Sequence, residues 1–316
     1  MIIACATDRR YVQLTGVMLA SLIAKGDVPE AKLVVFGWQL TPRDKRLLRY
    51  CCGEQASRLT FIDLDATIIA RLRGLRLKRP TITHTAYLRL LMPALLDAGE
   101  RRLLYLDSDV VVNGSLRPLL EMPLNGHALA AVAECEASRI RCNKALGVPP
   151  AQPYMNSGVL LIDLEAWRAR RLTDRTIAFA RDNPLRGNYH DQDALNAVLA
   201  GDWLQLDRRW NFFEPASEPP REAREVYLAS SVIHFIGVHK PTSAECTNPA
   251  QALFLQYRRL TPWRHRRLIT RFERRMRKLL AKRFKRLRQG FALAPAPGLP
   301  RLPEAQDSGP ETLRDA

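Results

Sequence analysis

Apolar and polar positions alternate along this chain with two different periods. Apolar runs of strand length occur at residues 2–7, 32–36, 59–64, 128–133, 158–162 and 232–236, and another ends at Asp107. Between them, apolar residues recur at three- and four-residue steps over residues 12–24, where Leu14, Val17, Met18 and Leu22 form one stripe. The same helical period returns over 42–50, 85–96, 165–181 and 192–199. Strand and helix in alternation predict an α/β fold with a mainly parallel central sheet flanked by helices on both faces. In such sheets ligands sit at the carboxyl ends of strands, where Asp8 and the pair Asp107 and Asp109 fall.

The run Arg101-Arg102-Leu103-Leu104-Tyr105-Leu106-Asp107-Ser108-Asp109 drives an apolar strand into two carboxylates one residue apart. In an extended chain alternate side chains share a face, so Asp107 and Asp109 point together and Ser108 points back. Two such carboxylates repel unless a cation lies between them, which suggests a divalent metal presenting phosphates. The other reading is a surface turn with two solvated aspartates.

Three later constellations bear on the choice. Asn156-Ser157-Gly158 precedes a strand and reads either as turn punctuation or as a polar site edge. Asp191-Gln192-Asp193 opens an apolar helix, where Asp191 alone reads equally well as a cap. His234, Gly237 and Lys240 leave the last strand, and a histidine with two carboxylates makes an O,O,N set suited to Mn²⁺ or Mg²⁺. No dinucleotide glycine motif or Walker lysine loop accompanies them.

Composition sets the outer limits. With 316 residues, 47% hydrophobic and 26% charged, the chain can bury a substantial core, and wholesale disorder is excluded. The cysteines at 5, 51, 52, 135, 142 and 246 lack zinc or disulfide-framework spacing and read as reduced thiols. No basic leader and no run of ~18 apolar residues is visible, so a cytoplasmic protein is expected.

The net charge of +17 is the property of one segment. Residues 258–288 hold 15 Lys and Arg against one acid, Glu273. There Leu268, Phe272, Met276, Leu279, Leu280, Phe284 and Leu287 recur at helical steps. A C-terminal basic amphipathic helix is expected, suited to an anionic membrane surface on the inner face of the cytoplasmic membrane. A solvated charged helix and a nucleic-acid contact are the competing readings, and no nucleic-acid partner is expected. The organisation that follows is a catalytic domain at 1–257, a basic segment at 258–288 and a disordered Pro-rich tail at 289–316.

Together, Ala4-Cys5-Ala6-Thr7-Asp8 with Tyr11, Leu104 to Val110, Asn156 to Leu161, Asp191 to Asn196 and His234 to Pro241 resemble glycosyltransferase family 8. Within it the chain is similar to bacterial lipopolysaccharide α-galactosyl- and α-glucosyltransferases. The resemblance implies a GT-A fold, a UDP-galactose or UDP-glucose donor, Mn²⁺ (or Mg²⁺), and retention of anomeric configuration. A saccharide or glycolipid acceptor is implied with it, in lipopolysaccharide or another cell-surface glycan. It also implies that Asp107, Asp109 and His234 hold the metal. Asp8 and Tyr11 would bind the nucleoside with Ala6 allowing close approach, Thr7 and Ser108 would belong to the donor site, Gly237 and Lys240 would contact the donor's phosphates, and Arg89, Glu134 and Asn156 would meet the donor sugar. Gln192 would support the oxocarbenium-like centre in a front-face reaction, with Asp191 the nucleophile of a covalent alternative.

The chain departs from the family pattern at Arg10, where an Asn is common, at Thr81, where a His occurs, and at Glu134, where an Asp is usual. A metal-dependent D-x-D phosphatase fits the strand and its carboxylates alone. A non-enzymatic basic binding protein fits the charged segment alone.

Overall fold

The computed structural model describes the chain apart from residues 73–74, 76–83, 185–189, 214–219, 238, 271, 274, 277–278 and 281–316. Thr81, the Pro-rich tail and the end of the expected basic helix therefore lie outside the described residues. One compact unit spans Met1–Leu268 and a second begins at Ile269.

Among the described residues the first unit has nine strands: β1 (Ile2–Asp8), β2 (Lys32–Trp38), β3 (Leu59–Asp63), β4 (Arg102–Leu106), β5 (Val110–Val112), β6 (Leu129–Ala133), β7 (Met155–Asp163), β8 (Leu204–Leu206) and β9 (Val232–His234). Its helices are α1 (Val12–Lys25), α2 (Pro42–Cys51), α3 (Ala66–Arg71), α4 (Leu88–Leu95), α5 (Arg117–Glu121), α6 (Glu136–Leu146), α7 (Leu164–Ala169), α8 (Leu172–Asp182), α9 (Asp191–Leu199), α10 (Pro220–Ala229) and α11 (Gln251–Arg258). A seven-stranded sheet has the order β3-β2-β1-β4-β7-β6-β8, and β5 pairs with β9 in a separate ribbon. The sheet is parallel except for β7, which runs antiparallel to both β4 and β6. The mainly parallel α/β architecture is thus present, with one reversed strand that periodicity does not disclose.

Strand alternation divides the interior into two cores. Ile2, Ala4 and Ala6 of β1 face one side with Leu88 and Leu91 of α4, Trp167 of α7 and Leu195 of α9. Ile3 and Cys5 face the other with Met18 and Leu22 of α1 and Leu48 of α2. A smaller core joins Leu14 and Val17 of α1 to Val111, Ile233, Tyr227 and Phe254, fixing the β5–β9 ribbon against the sheet's carboxyl edge.

The helix expected over 165–181 is two helices, because Arg171 adopts φ +53° between α7 and α8 and a right-handed helix cannot pass through that conformation. The first unit also reaches past residue 257. Trp263 packs where a Cβ on Gly16 would lie 2.4 Å from its Cζ3, and the Arg266 guanidinium donates to Gln13 Oε1 at 3.2 Å.

In the second unit, Thr270 Oγ1 accepts from the Glu273 amide at 3.1 Å while Glu273 Oε2 accepts from the Thr270 amide at 2.8 Å, a capping box. The described positions 272, 273, 275, 276, 279 and 280 are helical, and Phe272, Met276, Leu279 and Leu280 are exposed.

Candidate active site

Chain direction explains the convergence at the carboxyl edge of the sheet. β1 and β4 end there, delivering Asp8 and Asp107. Because β7 is reversed, its amino-terminal residues Asn156 and Ser157 lie at the same edge, and the Asp107 amide donates to the Gly158 carbonyl at 2.8 Å. The ribbon then pairs Val110 with His234, which sets the imidazole beside Asp109. The two aspartates sit in the turn between β4 and β5 rather than in a continuing strand, yet Ser108 does point back, its hydroxyl donating to the Ala6 carbonyl at 2.6 Å.

Asp107, Asp109 and His234 each offer a ligand atom, all within 4.8 Å of one another. His234 Nε2 lies 3.6 Å from Asp107 Oδ2 and 3.4 Å from Asp109 Oδ1. The carboxylates' other oxygens are held elsewhere. Asp107 Oδ1 accepts from Arg89 Nη2 at 2.8 Å and from Tyr105 Oη at 2.5 Å, and Asp109 Oδ2 accepts from Lys240 Nζ. One oxygen from each carboxylate is thereby turned toward the imidazole nitrogen, a donor set that fits a hard or borderline divalent cation with open positions. Gly158 makes room for the ring, since a Cβ there would come within 2.2 Å of His234 Cε1.

Charge balance stiffens this arrangement. Burial pushes the Asp109 carboxyl up, but Lys240 and His234 together outweigh it and hold the group well below the usual carboxylate range. Burial of Lys240 disfavours its charge, and Asp109, Tyr11 and Asp107 together more than compensate, raising its pKa.

Arg89 reaches across to the second half of the site. Its Nε lies 2.8 Å from Asp191 Oδ2, its Nη1 donates to the Ser157 carbonyl at 2.6 Å, and its guanidinium lies over the Tyr105 ring at 4.7 Å. Asp191 is the first residue of α9, and His190 at the cap position makes no side-chain cap hydrogen bond. Burial pushes its carboxyl up to about 6; Arg89 opposes that rise, and Asp107 adds to it. Beside it, Gln192 Oε1 accepts from the Ser157 amide at 2.9 Å. Ser157 Oγ lies 3.3 Å from both Asp191 Oδ2 and Gln192 Oε1, so its single proton serves one at a time.

On the other flank Asn156 Nδ2 donates to Glu134 Oε1 at 2.8 Å, and Asn211 Nδ2 donates to Asn156 Oδ1 at 2.9 Å. A cavity of about 230 Å³ opens there, lined by Glu134, Cys135, Gln205, Arg208, Asn211 and Phe213 among others.

At the end of β1, Asp8 accepts from the Arg10 amide at 2.8 Å and from its guanidinium at 3.1 Å, so the residue that departs from the family pattern folds onto the carboxylate expected to meet the base. The Thr7 hydroxyl is turned inward onto Thr15 at 2.7 Å, leaving only its backbone for a ligand. Tyr11 is half-buried, and burial raises its hydroxyl pKa. Gly237 is exposed with φ +82°, a conformation that suits glycine.

Sequence reading did not single out Tyr105, Ser157 as a contact of both Asp191 and Gln192, or Asn211. Only Asn211 left a trace, a lone amide between Trp210 and Phe212-Phe213.

The chain matches the profile of glycosyl transferase family 8 over residues 2–245. General stress protein A of Bacillus subtilis (strain 168) is 28% identical over 275 residues, 83% of this chain and 94% of that protein. Lipopolysaccharide 1,2-glucosyltransferase of Escherichia coli (strain K12) is 31% identical over 191 residues, 58% of this chain and 56% of that enzyme. The crystal structure of the galactosyltransferase LgtC with donor and acceptor sugar analogues superposes with a TM-score of 0.71 at 24% identity, covering 84% of this chain and 99% of LgtC. That likeness shows the GT-A fold. With a family match across most of its length, the chain belongs to glycosyl transferase family 8.

Proposed function

We propose that this glycosyltransferase moves galactose or glucose from a UDP-sugar to a saccharide acceptor, in lipopolysaccharide or another cell-surface glycan, retaining the anomeric configuration. The observation that carries the donor class is the convergence of Asp107, Asp109 and His234 at the strand ends beside Lys240. The lipopolysaccharide acceptor is supported by the E. coli relative, whose substrate is lipopolysaccharide. Bound at the trio, Mn²⁺, with Mg²⁺ as the alternative, would supply Lewis acidity that offsets charge on the departing UDP.

The remaining roles belong to the chain. Asp8 would accept from the edge of uracil, Tyr11 would stack on it, and Ala6 and the Thr7 backbone would allow close approach. Ser108, in the turn between β4 and β5, would belong to the donor site, and Gly237 and Lys240 would contact the diphosphate. Arg89, Asn156 and Glu134 would orient the sugar. Asp191 is ion-paired to Arg89 and buried, which blunts it as a nucleophile. Front-face attack is therefore favoured: the acceptor oxygen bonds to the anomeric carbon as the bond to UDP breaks, and the acceptor proton passes to the leaving phosphate oxygen. Gln192 would place its carbonyl oxygen near the oxocarbenium-like centre. The test is UDP release from a panel of UDP-sugars with and without Mn²⁺. Phosphate release from sugar phosphates, with every UDP-sugar untouched, would overturn the reading.

We also propose that residues 258–288 bring the enzyme to the inner face of the cytoplasmic membrane. Supporting this are the 15 cationic residues and the exposed Phe272, Met276, Leu279 and Leu280; among the described residues no helix is long and apolar enough to cross a membrane. Truncation after Leu268 is expected to abolish sedimentation with anionic vesicles while leaving donor hydrolysis intact. Equal sedimentation of both forms would sink the proposal.

A further inference from the structure

We propose that Asn211 is a positioning residue that fixes the tautomer of His234 and thereby its capacity to ligate a cation, an inference that rests on the metal reading above. The argument follows a chain of hydrogen bonds whose direction is set at one end. The Gly158 backbone N–H can only donate, and it lies 2.9 Å from Asn156 Oδ1, so that atom has to be the amide oxygen. The Asn156 nitrogen then faces the Glu134 carboxylate at 2.8 Å, as a donor should. Asn211 meets the Asn156 oxygen at 2.9 Å and has to present its own nitrogen there. The Asn211 oxygen is left 3.0 Å from His234 Nδ1, which has to carry the proton.

A neutral imidazole has one proton, so Nε2 keeps a bare lone pair directed at Asp107 and Asp109. The reverse tautomer would place two lone pairs face to face at 3.0 Å and turn an N–H into the ligand position. Asn156, Asn211 and His234 are each no more than 5% exposed. Bulk water therefore cannot substitute for a missing partner. The ring is also confined sterically, by the Gly158 backbone and by Phe213, whose ring meets it edge-on at 6.3 Å between centroids.

The experiment uses the metal-free full chain labelled with ¹⁵N-histidine, at a pH high enough that the imidazole signals are those of the neutral ring, with long-range ¹H–¹⁵N correlations reporting which ring nitrogen is protonated. The His234 signals are those lost in His234→Gln. Wild type is expected to show Nδ1–H with a bare Nε2. Asn211→Leu is expected to drift toward the Nε2–H form that an unconstrained histidine prefers, and to weaken Mn²⁺ binding, measured by calorimetry, by about 10- to 100-fold. Asn211→Gln keeps both an amide oxygen for Nδ1 and an amide nitrogen for the Asn156 oxygen and is expected to keep the tautomer, a rescue that a merely structural role does not predict. A neutral Nε2–H ring in wild type or in Asn211→Gln, or unchanged tautomer and affinity in Asn211→Leu, overturns the inference. Equal Mn²⁺ affinity in Asp109→Ala and wild type would sink the metal reading and the ligation half of the inference, while the nitrogen signals alone decide the tautomer half.

Discussion

The two flanks of the site hold their groups by different physics. On one, Arg89 and Lys240 grip Asp107, Asp191 and Asp109 through ion pairs; on the other, Asn156 and Asn211 hold His234 through neutral amides. Ion pairs are strong but only weakly directional, so the charged flank fixes where the carboxylate oxygens lie. Amide bonds each contribute about 1 kcal/mol, yet every one specifies donor and acceptor. A cation site needs both: oxygens in place, and a nitrogen that presents a lone pair instead of a proton.

Breaking the charged flank should cost most. Asp109→Ala removes a ligand oxygen and strips Lys240 of its carboxylate, and Asp107→Ala leaves Arg89 paired with the Asp191 carboxylate but not with Asp107. Either is expected to lower Mn²⁺-dependent UDP release by at least about 1,000-fold, since metal stabilisation is worth several kcal/mol. Near-normal turnover in either variant would remove the metal assignment.

Between the flanks, Gln192→Ala should reduce kcat by about 10- to 1,000-fold without total loss, as for an electrostatic contact to the transition state. Trapping a glycosyl adduct on Asp191 would instead establish the covalent route.

The charged flank should also carry a pH signature. Burial raises the folded-state pKa of Asp191 from 3.8 to about 6, so between those values the folded chain keeps a proton that the unfolded chain has released. Stability of the metal-free enzyme therefore falls as pH rises through that window, by up to about 3 kcal/mol. Asp191→Asn should flatten that segment of a denaturation-midpoint profile against pH. An unchanged slope would mean that Asp191 is not the group responsible.

The neutral flank offers the smallest perturbation. Gly158→Ala places a methyl 2.2 Å from His234 Cε1, and forced repacking of this kind costs about 1–3 kcal/mol. Thermal melting should register that cost and calorimetry a weakened Mn²⁺ affinity. Wild-type values of both would show that the ring has another way to be accommodated.

Much of this was legible in the chain itself. Period-two and helical apolar patterns located most strands and helices, because each element has to hide its own apolar face. Asp107, Asp109 and His234 were readable as a ligand set because three acceptor side chains stand at strand ends. The direction of β7 was not: an apolar run has the same periodicity whichever way it enters a sheet, and only packing between β4 and β6 reversed it. That reversal carries Asn156 and Ser157 to the site. Asn211 stayed hidden for a related reason, since it acts through partners 55 and 23 residues away in sequence. Sequence determined which groups can bind and react; tertiary structure decided which proton each holds and which way each points, because those depend on neighbours that only the folded chain supplies.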